Sequence, residues 1–118
     1  MLQLTWVRRF AGTNDWIDLH KVDLDKVHVF GVYVIWCGGQ PSQVVRVGQG
    51  NIAERLRCHR DDKDVQAYRA RGLYVMWAAV SALQVDGVER HLAEEYPPLV
   101  GDRWPDADPI AVNSPFAA

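Results

Sequence analysis

A run of β-branched and aromatic side chains from Val27 to Trp36 constrains the fold of this chain more than any other feature. Such runs form β-strands, because branched and ring side chains pack well on a pleated sheet. The turn-forming residues Gly38-Gly39-Gln40-Pro41-Ser42 interrupt the run, and Gln43 to Gly48 then resume the β-branched pattern. We therefore expect two strands joined as a hairpin with a longer loop.

Two helices are predicted after this hairpin. Asn51 is a favourable N-cap for a short helix from Ile52 to Arg60, because its side chain can accept a hydrogen bond from a free backbone N–H. A second helix is expected from about Asp62 to Arg71, with Gly72 as its C-cap.

A third strand and a third helix complete the predicted fold. Leu73 to Val80 is short and apolar and lies between Gly72 and Ser81, which indicates a buried strand. An apolar stripe predicts a helix from Leu83 to Tyr96, and Pro97-Pro98 ends it because proline cannot continue the hydrogen-bond ladder. The predicted class is α+β, a small three-stranded sheet flanked by helices in the order β-β-α-α-β-α.

The length of 118 residues and the hydrophobic content of 48% suit one compact domain. We expect residues 1–26 to form an N-terminal extension packed on a domain that spans residues 27–118. Within the extension, Gln3 to Phe10 and Trp16 to Val22 should be extended, on either side of a turn. The tail from Leu99 to Ala118 should wrap over the core.

Charge and composition exclude several classes of protein. The formal net charge is −2 and the pI about 6.0, so any contact with nucleic acid must be local rather than a basic footprint of the whole chain. No apolar run reaches the roughly 18 residues of a membrane span and no signal-peptide pattern is present, which predicts a cytoplasmic protein without membrane contact. Cys37 and Cys58 are then expected to be free thiols.

Arg55 is the first candidate for chemistry. On a helical wheel it lies about 60° from Ile52 and about 40° from His59, close to the buried stripe of its helix. One interpretation is a side chain that covers core surface and reaches water with its charged end. The other is a guanidinium aimed into a cleft, where its planar fork matches phosphate oxygens.

Glu89 and Tyr33 are similarly placed. Glu89 lies at the margin of the apolar stripe of its helix. It is either an ordinary boundary residue or a carboxylate that could hold Mg²⁺. Tyr33 follows Gly31 by two positions on a strand, so both face the same side, and the missing side chain of Gly31 leaves space beside the phenol. Tyr33 is therefore a core tyrosine or a residue with a role in a site.

Five motifs, in this order, resemble those of the GIY-YIG nuclease family. Gly31-Val32-Tyr33 is similar to its first motif, and Arg46-Val47-Gly48 stands where the second belongs. The remaining matches are the helical arginine and histidine, the glutamate of the last helix and the terminal asparagine, namely Arg55, His59, Glu89 and Asn113. The resemblance covers about residues 28–116 and implies the same small sheet flanked by helices.

The resemblance is incomplete at two points. The second tyrosine of the family is replaced by Arg46, a basic residue that some members also carry there. Arg55 follows Gly48 by seven positions where eight is more usual, which places a one-residue deletion at Gly50-Asn51. Because His59 keeps its spacing from Arg55, the deletion lies in the connection before the helix.

The resemblance implies an endonuclease that hydrolyses DNA phosphodiester bonds with Mg²⁺ or Mn²⁺. Glu89 would hold the metal ion, Arg55 would bind a non-bridging oxygen and Tyr33 would help to activate water. Arg46 would add a phosphate contact, and His59 would order Arg55, relay a proton or simply pack within its helix. Gly31, Gly48 and Asn113 would bind substrate or support the site.

A second function remains open at this point. The same fold could bind nucleic acid or a protein without turnover, as the missing tyrosine and the acidic pI favour. Because the chain has little room for a separate DNA-binding domain, a protein partner or a homodimer would supply further contacts.

Overall fold

The structure is a computed structural model that describes residues 1–117. It contains a three-stranded antiparallel sheet in which β1 (Phe30–Cys37) lies between β2 (Gln43–Asn51) and β3 (Leu73–Ala79). The sheet order is thus β2-β1-β3, with β1 paired on both edges. The predicted α+β class and the three-stranded sheet are confirmed.

Three α-helices accompany the sheet: α1 (Ile52–Arg60), α2 (Lys63–Gln66) and α3 (Val85–Glu95). Single 3-10 turns lie at Leu24–Lys26 and Arg69–Arg71. The order of strands and α-helices is the one predicted from sequence.

The second predicted helix, Asp62 to Arg71, is wrong in extent. It begins after the N-cap Asp62, ends at Gln66, and is followed by the separate 3-10 turn. Within α2 only Val65 is buried, so no apolar stripe exists that could hold a longer helix against the core. Gly72 does end the 3-10 turn, with φ +86°.

Strand β2 passes directly into α1 without a loop. Asn51 is both the last residue of β2 and the N-cap of α1, and its side chain accepts a hydrogen bond from Glu54 N–H at 3.1 Å. The preceding Gly50 has φ +123°, a left-handed conformation that a side chain would strain. The strand-to-helix junction is therefore direct, with Asn51 belonging to both elements.

The core has two parts, one on each face of the sheet. Alternate residues of β1 divide between them: Tyr33 and Ile35 pack with Leu56 of α1, whereas Val32 and Val34 are grouped with α3. This division follows from the period of two along a strand.

A bulge in β2 changes this alternation beside Arg46. Ile35 pairs with Arg46 and Trp36 with Val44, so Val45 is an extra residue in the ladder. Val45 is fully buried in the core on the α1 side, together with Ile35. Because a bulge can re-aim a neighbouring side chain, β2 can place Val45 in this core and still present Arg46 beside it.

The N-terminal segment runs along the free edge of β3. Backbone bridges join Val7 to Trp77 and Asp18 to Tyr74, and a turn separates the two extended stretches. Trp6, Ile17 and Leu19 are buried, so the segment predicted as an extension contributes to both parts of the core. It also covers a sheet edge that would otherwise be open to pairing.

Two further expectations can be compared with the described residues. Cys37 is buried, Cys58 is exposed, and neither forms a disulfide bond. No helix within residues 1–117 combines the length and apolar character needed to cross a bilayer.

Candidate functional site

The centre of the candidate site is a hydrogen bond between two buried side chains. The hydroxyl of Tyr33 lies 2.6 Å from Nε2 of His59, and the two residues are 1% and 3% exposed. Gly48 pairs with Tyr33 across the sheet, and a Cβ at Gly48 would overlap the phenolic oxygen and Cζ. Only glycine at position 48 leaves room for this tyrosine in its observed position.

His59 is held as a neutral imidazole. Burial and the nearby charges of Arg46 and Arg55 lower its pKa from 6.5 to about 4, while Asp62 acts in the opposite direction. The Nδ1 atom is 3.7 Å from the Asp62 carboxylate and has no hydrogen-bond partner among residues 1–117. Nε2 of the neutral ring can therefore accept the hydrogen bond from Tyr33, with the ring proton on Nδ1.

Tyr33 is a neutral phenol in the free protein. Burial raises its pKa above the ordinary value of 10, and this effect exceeds the opposing influence of Arg55 and Arg46. The Arg55 side chain emerges from α1 beside the phenol, and its aliphatic part packs 3.4 Å from where a Cβ of Gly50 would lie. Arg55 itself is exposed, so its guanidinium is accessible to a ligand while influencing a buried hydroxyl.

Arg46 brings a second cation to the site from β2. Its side chain is half-buried, and Nε is shielded from solvent without a hydrogen-bond partner among residues 1–117. After burial, Arg46 is the largest influence on the pKa of both His59 and Glu89. Arg46 is therefore close enough to both α1 and α3 to influence ionisation on each helix.

Glu89 supplies the carboxylate from α3. It is 7% exposed, and burial raises its pKa from 4.5 to about 7, with Arg46 opposing the rise and Asp86 reinforcing it. Asp86 lies one turn earlier on α3 and accepts a hydrogen bond of 2.7 Å from the Gln49 amide. The Gln49 amide also favours the ionised form of Glu89.

The Tyr33–His59 hydrogen bond and the mutual electrostatic influence of the ionisable groups link the main sequence-predicted residues. Both arginines influence the ionisation of Tyr33, His59 and Glu89, and Glu89 in turn influences Tyr33. The group combines two cations, one carboxylate, one phenol and one neutral imidazole. Its chemistry suits a phosphate: cations for the oxygens and oxygen ligands for a hard cation.

Two other predicted residues have structural positions. The Asn113 amide bonds both backbone groups of Leu4, with Oδ1 accepting at 2.7 Å and Nδ2 donating at 3.0 Å, so it ties the tail to the N-terminal segment. Gly31 lies against β3, where a Cβ would overlap the carbonyl oxygen of Ala78. Gly31 therefore gives room to the backbone of β3, and the expectation that its missing side chain leaves space beside the phenol of Tyr33 is wrong, because the glycine beside that phenol is Gly48.

Three polar residues of the site did not emerge from the sequence. Asp62 follows His59 by three and Asp86 precedes Glu89 by three, spacings that place side chains on one helical face and could have revealed both. Gln49 gives no such signal, because its relation to Asp86 crosses from β2 to α3.

The donors near Glu89 fit a hard divalent cation. No group of three His, Cys, Asp or Glu side chains in the described part of the chain is arranged as a metal site. However, Mg²⁺ often takes only one or two protein carboxylates and completes its shell with water and phosphate oxygens. Glu89 and Asp86 offer carboxylate oxygens of this kind, and the Gln49 amide donates a hydrogen bond to Asp86.

One cavity in the described part of the chain lies away from this chemistry. Its volume is about 380 Å³, and it opens at the hairpin end of β1 between Trp36, Tyr96 and Phe116. Its lining includes none of the candidate site residues Tyr33, Arg46, Arg55, His59 and Glu89.

Comparison with models of protein families, with curated proteins and with solved structures gave no match to this chain.

Proposed function

We propose that the protein is a divalent-metal-dependent endonuclease that hydrolyses DNA phosphodiester bonds through a GIY-YIG-type site. The observation that carries the proposal is the convergence of Tyr33, Arg46, Arg55, His59 and Glu89, since each influences the ionisation of another member or hydrogen bonds to one. These residues come from two strands and two helices. Their convergence is the arrangement expected if the motif order reflects a shared site.

The two arginines would bind the phosphate. Arg55 is exposed and can approach a non-bridging oxygen from solvent, while the half-buried Arg46 can contact the phosphate from the strand. Guanidinium groups stabilise the negative charge that grows on these oxygens during hydrolysis, and burial strengthens the effect by excluding water. Arg46 would thus compensate in charge, although not in acid–base chemistry, for the absent tyrosine.

Tyr33 and His59 would orient the attacking water. The phenol lies 2.6 Å from His59 Nε2 and is also hydrogen bonded to Arg55, so with the phenolic proton on the His59 side one lone pair of the oxygen would be left for a water molecule. The phenol could accept a proton from that water only after its own proton had passed to bulk solvent, a loss that further positive charge in the site favours by lowering the pKa of Tyr33. Glu89 would hold Mg²⁺ or Mn²⁺, and the ion, when bound, supplies the charge that polarises the phosphate.

Binding of nucleic acid without turnover is the second candidate function. It is favoured by the same pKa directions, because burial keeps Tyr33 protonated and Glu89 about half protonated near pH 7. A protein partner or a second copy of the chain would then add affinity. The two functions predict different results with the same substrate, since a binder retards DNA without cutting it.

Nicking of supercoiled plasmid with Mg²⁺ or Mn²⁺ tests the proposal. Wild-type protein should nick, and Glu89→Ala should abolish nicking because it removes the central carboxylate. Glu94→Ala is the matched control, since Glu94 lies on the same helix but is exposed and pairs with Arg90 at 2.7 Å. Equal nicking by Glu89→Ala and wild type would exclude this site, and retardation without nicking by wild type would favour the binding function.

A further inference from the structure

The tail passes along the outer edge of β2 beside Arg46. Leu99 N–H donates to the carbonyl of Val44 at 3.1 Å, and Val100 N–H donates to that of Val45 at 2.8 Å. The two acceptors immediately precede Arg46 in β2. The backing segment, Leu99–Gly101, is thus fixed to the strand next to one of the two cations of the site.

Gly101 is the point of contact between the backing segment and Arg46. Its φ is +96°, a conformation that glycine adopts without strain. A Cβ at this position would overlap Nη1 of Arg46 and stand 3.0 Å from its Cζ. The backbone of Gly101 therefore lies directly against the guanidinium of Arg46.

Packing, more than hydrogen bonding, holds Arg46 in place. The buried Nε has no partner within residues 1–117, so this donor does not help to fix the side chain. A free arginine side chain loses rotamer entropy on ordering, and the Gly101 backbone on one side reduces the number of conformers open to it.

We propose that Gly101 is a positioning residue, which holds the Arg46 guanidinium in the candidate site through the backing segment. As far as cleavage is concerned, this inference rests on the proposed nuclease function. The position of Arg46 itself is independent of that function and can be measured directly. The inference assigns a role to a tail residue about 55 positions beyond Arg46.

The first test is a double-mutant cycle of stability in urea. Gly101→Ala should lower the unfolding midpoint by strain at positive φ and by overlap with Arg46. In the Arg46→Ala background only the strain should remain. Gly12→Ala measures the strain alone, because Gly12 has φ +73° and nothing within 4 Å of where its Cβ would lie.

The second test follows His59 and Arg46 by NMR. Arg46 lowers the pKa of His59 together with Arg55, whereas Asp62 raises it, and Tyr33 occupies Nε2. If Gly101→Ala displaces Arg46, the titration midpoint of His59 should rise and the NMR signal of Arg46 Nε–H should shift. The loss of that signal in Arg46→Lys assigns it to Arg46. Gly12→Ala should leave both unchanged.

Each outcome bears on the proposal. The proposal is overturned if Gly101→Ala lowers the unfolding midpoint equally with and without the Arg46 side chain. It is also overturned if the titration midpoint of His59 is unchanged in folded Gly101→Ala. If Gly101→Ala fails to fold but its double variant with Arg46→Ala folds, the overlap with Arg46 is demonstrated. If wild type cuts DNA, Gly101→Ala should also lower turnover about 10-fold, and absence of cutting in every variant would contradict the nuclease function alone.

Discussion

The Tyr33 hydroxyl lies 2.6 Å from Nε2 of His59, and both side chains are buried. A buried hydrogen bond of this kind has a structural value and a chemical one. It satisfies two polar groups that would otherwise be buried without partners, and it fixes which way the phenolic proton points. The lone pairs of Tyr33 are left for the side of the site where Arg55 emerges.

Tyr33→Phe should reduce the free energy of unfolding by about 1–2 kcal/mol, because it leaves His59 Nε2 buried without a donor. Urea unfolding followed by tryptophan fluorescence measures this. Tyr74→Phe is the control, since Tyr74 packs on Trp36 with ring centroids 4.8 Å apart, on the other side of the sheet. A Tyr33→Phe protein as stable as wild type would show that the hydrogen bond is not formed in solution.

Arg55→Ala should lower the rate of plasmid nicking by about 10²-fold or more, the loss typical of removing one transition-state donor. Arg57→Ala is the matched control, because Arg57 lies on the same helix but pairs with Asp25 at 2.6 Å. The rates of plasmid nicking by the two variants and by wild type are compared at saturating metal and limiting enzyme. A similar loss in both variants would indicate a general effect of charge on DNA binding instead of a specific role for Arg55.

The strands and most helix boundaries could be predicted because they depend on local patterns. Asn51 marked the start of α1 by its capping chemistry, and the proline pair after Tyr96 marked the end of α3. The second helix was predicted too long. Its charged residues and the glycine after it are typical of a helix, but they do not show whether a core exists to hold one. Val65 is the only residue of α2 that is buried in the core, and the helix ends at the next residue.

The order of motifs in the resemblance singled out Tyr33, Arg55 and Glu89, because residue type and position alone left a core or boundary interpretation open for each. The contacts around them were not predictable where distant segments meet. Gly101 reaches Arg46 only because the tail bonds to β2, and Gln49 reaches Asp86 only because α3 packs beside that strand. Neither relationship has a periodic signal in the sequence.

Stability should depend little on pH between about 4.5 and 6.5, because two buried groups act in opposite directions there. The pKa of His59 falls from 6.5 to about 4 on folding, so the unfolded chain binds more protons and stability rises with pH. The pKa of Glu89 rises from 4.5 to about 7, so the folded chain binds more protons and stability falls with pH. Each effect amounts to at most about 3 kcal/mol across its window.

Single variants should expose the two opposing slopes. Glu89→Gln removes the contribution that makes stability fall with pH, so the urea unfolding midpoint should rise as pH increases from 4 to 6.5. His59→Gln removes the rising contribution, so the midpoint should fall as pH increases from 4.5 to 7. A wild-type slope as steep as that of one variant would mean that the group removed in that variant contributes no slope, so that folding does not perturb its pKa.

Gly48→Ala should destabilise the protein by about 1–3 kcal/mol, the usual cost of forcing extra volume into a packed core. The added methyl group would overlap the Tyr33 oxygen and Cζ and lie 2.8 Å from Cε1, so the phenol must move and its bond to His59 must break. Tyr33→Leu lacks all three of these atoms. Gly48→Ala should therefore cost much less in the Tyr33→Leu background, as measured by a double-mutant cycle in urea. Equal costs in the two backgrounds would show that Gly48 is needed for the backbone of β2 and not for the position of the tyrosine.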